Sequence, residues 1–113
     1  MKNGEQTLEN SIASMIAGEI KTRTGKGPAN TEVFLHNHYL LVKVSGYLLP
    51  YEKELSRAGQ GYFDVKFNRA RWVHTNIEAL MEKMSALIGR IIKEFYYDVN
   101  PETDCSITVW FFE

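Results

Sequence analysis

Apolar residues at Leu8, Ile12, Met15, Ile16 and Ile20 recur at intervals of three and four with polar residues between them, which predicts an amphipathic helix from about Glu5 to Thr24. The pattern stops at Gly25-Lys26-Gly27-Pro28, where glycine can take the left-handed conformation and proline cannot continue helical hydrogen bonding. From Thr31 to Gly46, β-branched and aliphatic residues are interrupted by one polar tripeptide, His36-Asn37-His38, so a hairpin is expected with Asn37 at its tip. On its second strand Leu40, Val42 and Val44 share one face and Tyr39, Leu41 and Lys43 the other. Neither face is simply polar, and cover is expected on both sides of the sheet.

Pro50 suits a first helical position and Glu52 the positive end of a helix dipole, predicting a short helix to about Ala58. The glycines of AGQGY end it. A long helix is expected from about Tyr62 to Leu87, with Phe63, Phe67, Ala70, Val73, Ile77, Leu80, Met81, Met84 and Ile88 at helical spacing. It would extend about 39 Å. Trp72 lies off that stripe. The segment RIIKEFYYDV, the turn NPETD and the strand-like CSITVWFFE read as a second hairpin. The fold class is therefore α+β: two β-hairpins forming a mostly antiparallel four-stranded sheet, packed with an N-terminal helix, a short helix and one long helix, in the order α-β-β-α-α-β-β. Because the last strand carries large apolar groups on both faces and few helices are available to cover it, a homodimer is expected.

A chain of 113 residues with 44% hydrophobic composition supports one core, so residues 1–113 read as a single domain. Thirteen basic and 14 acidic side chains, net charge −1, give no cationic footprint, and nucleic acid is not an expected partner. Cys105 is the only cysteine and cannot form an intramolecular disulfide. No charged segment followed by an apolar one opens the chain, so a cytoplasmic location is expected. The longest apolar runs fall far short of the roughly 20 residues of a transmembrane helix, and any membrane contact is peripheral.

Candidate chemistry is sparse. His36 and His38 would point to one side of a strand, but a third ligand is missing and His74 sits far along the chain, so no metal site is expected. The segment TGKGP has the glycines and lysine of a phosphate loop, yet it leaves a helix rather than opening one, which favours an ordinary helix stop. In DVNPETD, the residues Asp98, Asn100, Glu102 and Asp104 mimic half of a calcium loop and lack its later ligands. Between Arg57 and His74 the cations Arg57, Lys66, Arg69 and Arg71 outnumber the acid Asp64, with Tyr62, Phe63, Phe67 and Trp72 among them. The simpler reading is a solvated helix face whose aromatics are core; the functional one is an anion-binding patch. Cys105, at the start of a hydrophobic strand, reads as a packed thiol, and no serine or carboxylate pair is visibly poised for catalysis. No cofactor is expected.

Taken in order, GKGP, the hairpin, GYLLPYEKEL, the long helix ending in LIG, and YYDVNPETD with its strand resemble the MpsC family of small bacterial proteins over nearly the whole chain. The matching positions are Gly25, Lys26, Gly27, Pro28, Gly46, Pro50, Glu52, Lys53, Leu55 and Asp98. Where the family's TPxEK segment has threonine this chain has Leu49, losing a side-chain cap worth about 1 kcal/mol. The resemblance implies association with a sodium-translocating, membrane-potential-generating system and supplies no molecular activity. The leading expectation is a non-enzymatic accessory or regulatory protein acting by contacts near a membrane ion-translocating protein. The alternatives are an anion or nucleic-acid binder and an unrecognised small-molecule enzyme. Candidate binding residues are Lys26, Gly27, Glu52, Lys66, Arg69 and Arg71.

Overall fold

The computed structural model describes residues 2–113. Its elements are α1 (Lys2–Thr24), β1 (Asn30–Leu35), β2 (Tyr39–Ser45), α2 (Pro50–Leu55), α3 (Gly59–Thr75), α4 (Ile77–Ile88), β3 (Ile92–Asn100) and β4 (Cys105–Phe112). The α+β class and element order match the sequence pattern. Helix α1 ends where Gly25 takes φ 81° and its amide reaches back to the Lys21 carbonyl at 2.8 Å, the left-handed stop that a residue without Cβ adopts most easily. The first hairpin turns through His36-Asn37-His38, closed by the His36 amide on the Tyr39 carbonyl at 2.8 Å.

The two hairpins join along β2 and β4, giving one antiparallel sheet in the order β1-β2-β4-β3. Ile12, Ile16 and Ile20 of α1, Val65 of α3, and Leu80 and Met84 of α4 pack on a face built from Val33, Leu40, Val42, Val44, Val99, Trp110 and Phe112. Cover on both sides was expected; the helical core lies on one side only. On the other, Phe34, Tyr96 and Ile107 are 47%, 56% and 41% exposed.

The segment expected as one long helix is two, meeting at Asn76. This residue leaves the helical conformation at φ −105°, ψ 6°, while its side-chain amide donates to the Trp72 carbonyl at 2.8 Å and its Oδ1 accepts from Arg23 at 2.8 Å. A short polar side chain that competes for backbone partners ends one helix and begins the next. The break brings α4 against α1, where Arg23 and Lys83 both pair with Glu19. The Lys83 hydrogen bond holds that carboxyl below its ordinary range.

The phase of α3 also differs. Its buried positions are Gly61, Val65, Arg69 and Val73, whereas Phe63 and Phe67, expected in the core stripe, are 58% and 72% exposed. An apolar period of 3.6 identifies a stripe but not which of two stripes faces inward when both carry large side chains. Gly61 decides it here: a Cβ there would stand 1.9 Å from the Leu55 carbonyl oxygen, so α3 meets α2 edge to backbone at that point.

Candidate functional site

Of the positions that carried the family resemblance, Lys26, Gly46, Pro50, Glu52 and Lys53 converge on the loop between β2 and α2. Gly46 opens it at φ 68°, where a Cβ would come within 2.6 Å of the Ala29 side chain. Lys26 reaches across from the helix stop and donates to the Leu48 and Gly46 carbonyls at 3.0 and 3.3 Å. From the opposite side Asp104, itself at φ 52°, accepts the Gly46 amide on its carbonyl at 2.8 Å. Its Oδ1 accepts the Tyr47 and Leu48 amides at 3.0 and 2.9 Å, and Lys53 stands 3.1 Å from Oδ2. A loop whose backbone groups are turned inward must find partners there; this one takes most of them from Lys26 and Asp104, 20 or more positions away.

Helix α2 continues the same arrangement. Leu49 has no side-chain acceptor, but the Glu52 carboxylate accepts the Leu49 amide at 2.8 Å, the acidic half of a capping box without the hydroxyl half. The same carboxylate takes both arms of Arg69, Oε2 to Nε at 2.8 Å and Oε1 to Nη2 at 2.6 Å. Both residues are buried. The guanidinium stacks on the Tyr47 ring, 4.7 Å to its centroid. Burial alone would lower the Arg69 pKa, but the Glu52 hydrogen bond and charge outweigh it and hold it above the ordinary value. Behind it the Tyr47 and Tyr97 hydroxyls meet at 2.5 Å; burial pushes both phenols up, so both stay neutral around pH 7. Fully paired ions and neutral phenols suit fixing a loop rather than moving a proton.

The six candidate binding residues therefore divide. Lys26, Glu52 and Arg69 belong to this knot, and Arg69 is 5% exposed. Lys66 sits at the β3 edge, on Asp98 Oδ1 and the Val99 carbonyl at 2.8 Å each; the Lys66 bond holds Asp98 below the usual carboxylate range. Gly27 only reaches ordinary contact distance from the Lys21 stem, 3.8 Å for an added Cβ. Arg71 is exposed on α3. The cations do not form one patch.

The other motifs are spent on structure. The Lys26 amide is taken by Thr24 Oγ1 at 3.3 Å, within the helix stop. In the acidic turn Asn100 accepts the Glu102 amide at 3.0 Å. Exposed His36 stacks on Tyr39 at 4.6 Å; among the described residues no three His, Cys, Asp or Glu side chains are grouped for a metal. The cavity among Ile16, Tyr47, Trp72, Tyr97 and Trp110 is about 50 Å³, room for water; wider, open clefts of about 360 and 480 Å³ lie beside Lys66 and Asp98 and beside Arg57 and Phe63. Sequence reasoning missed Asp104, Tyr47 and Tyr97. An aspartate ending the NPETD turn, a residue type that tolerates positive φ, was the one local signal for the first; the tyrosine pair joins residues 50 apart and had none.

Among the described residues, apolar side chains face outward on the open side of the sheet and on the stripe of α3 where Phe63 and Phe67 lie one turn apart with Arg71 beside them.

The family described as "Na+-translocating membrane potential-generating system (MpsC)" matches residues 4–113. The chain is also similar to the "Uncharacterized protein YbcI" of Bacillus subtilis (strain 168), 24% identical over 110 residues that cover 97% of this chain and 89% of the relative. No solved structure matches it. Among the described residues no helix is long and apolar enough to cross a membrane.

Proposed function

This chain belongs to the MpsC family, and from that premise we propose that it is a non-enzymatic accessory protein that docks on a membrane ion-translocating protein. The observation that carries the reading is the exposure of Phe63 and Phe67, 58% and 72%, on the side of α3 turned away from the core. A pair of large aromatics held outward at i and i+4 on a rigid helix is the geometry of a contact anchor. The neighbouring Arg71 supplies a charge at its rim. The polar knot supports the same reading from the other direction, since its charged groups are committed to holding the β2–α2 loop. The family description connects such proteins with a membrane system, and the partner proposed here is a component of one.

Capture from native membranes with the tagged full chain tests this. Retention of an ion-translocating membrane protein is expected; recovery of no membrane protein contradicts it.

A further inference from the structure

We propose that the open face of the sheet is the seam of a two-fold symmetric dimer with a second copy of this chain. Pairing sets four outward side chains in one row across all four strands, because Phe34 is opposite Leu41, Leu41 opposite Val109, and Val109 opposite Tyr96. The row reads aromatic, aliphatic, aliphatic, aromatic, and it is centred between β2 and β4, the middle of the sheet. A two-fold axis along the strands through that centre lays Phe34 over the partner's Tyr96 and Leu41 over the partner's Val109. The surface is thus complementary to itself, the condition that an isologous interface imposes.

The charges on this face are paired or lie at its edges. The axis brings Glu32 over the partner's Asp98, an acid that Lys66 already neutralises at 2.8 Å, and both lie on edge strands; it lays Lys43 over the partner's Ile107, with Glu32 directly opposite that lysine on β1. Size suits a weak, concentration-dependent dimer. Four strands about 4.8 Å apart and some seven residues long give a footprint on the order of 400 Å². Two copies bury about 800 Å² on that footprint, the range of weak and transient interfaces. Aligned face-to-face packing of twisted sheets is an established geometry. The seam leaves the α3 stripe, on the helical side, free for another partner, so it stands independently of the docking reading above.

Light scattering coupled to size exclusion tests the seam on the full chain. Wild type should elute at twice the 13.0 kDa chain mass at high concentration. Phe34→Glu and Tyr96→Glu, both at half-exposed edge-strand positions, should each return it to monomer with an unchanged circular dichroism spectrum. A wild type that stays at 13.0 kDa at every concentration, or a folded variant that remains dimeric, overturns the proposal. A monomeric wild type whose variants lose binding to phosphatidylglycerol vesicles overturns it in favour of a lipid surface. Should both variants unfold, a spin label on Cys105, on the same face of β4, decides the matter in wild type. Stacked sheets about 10 Å apart place the two labels within about 20 Å; a dimer without dipolar coupling overturns the assignment.

Discussion

Arg69 and Glu52 share a two-pronged ion pair, at 2.6 and 2.8 Å, in which both side chains are withdrawn from water. Truncating one partner leaves the other charged and buried without its counterion, which costs about 3–5 kcal/mol. Arg69→Met and Glu52→Leu should each lower unfolding stability by that amount in urea titration. The double variant should be more stable than either single one, because no orphan charge remains. Additive losses in the double variant would show that the two residues act separately.

Asp104 should respond differently to two substitutions. Asp104→Ala leaves the Tyr47 and Leu48 amides without their acceptor and is expected to cost about 3 kcal/mol. Asp104→Asn keeps an oxygen for those amides and tolerates positive φ, losing only the charge facing Lys53, worth up to about 1 kcal/mol. Equal effects in thermal melts would contradict the bonding described.

Alkaline titration reads the tyrosine pair. Of six tyrosines, Tyr47 and Tyr97 meet hydroxyl to hydroxyl inside the fold. Burial raises the folded pKa of both above the ordinary value of about 10. The unfolded state therefore releases their protons first, and their contribution to stability is intact below about pH 10 and lost as pH rises beyond it. Phenolate absorbance should show these two phenols released only in a cooperative unfolding step, and Tyr47→Phe/Tyr97→Phe should remove that step's share of the absorbance. Six independent titrations would contradict it.

Acid should act on the β3 edge with the opposite sign. The Lys66 hydrogen bond depresses the folded pKa of Asp98, so its contribution is present above the unfolded value near 3.9 and lost as pH falls through the folded one. Lys66→Met should cost no more than about 1 kcal/mol at pH 6, as befits an exposed pair. The gap from wild type should close below about pH 4 in urea titrations; a gap that persists would assign the loss to packing.

The sequence made the element order, both hairpins and the helix stop at Gly25 legible because each is written in local pattern: period, β-branching, or a glycine where the chain must turn. The phase of α3 was not legible. Phe63 and Phe67 outweigh Val65 and Arg69 in apolar size, and the backbone approach at Gly61 turns the second set inward together with Val73. Arg69 accordingly read as part of a basic edge when it is the buried counterion of Glu52, a relationship between residues 17 apart that no local spacing encodes. The break at Asn76 was hidden because one non-helical residue barely shifts the stripe. The motif residues Lys26, Glu52 and Lys53 were visible as a set, but not that one short loop gathers all three.

The central claim is that the family motif holds the fold while the outward stripe of α3 makes the functional contact. Its most direct test compares retention of an ion-translocating membrane protein, captured from native membranes, by wild type, by Phe63→Ala/Phe67→Ala and by Lys66→Met. The account predicts that the double-alanine variant melts within a few degrees of wild type yet loses the partner, while Lys66→Met keeps it. Equal retention by all three folded proteins would contradict it.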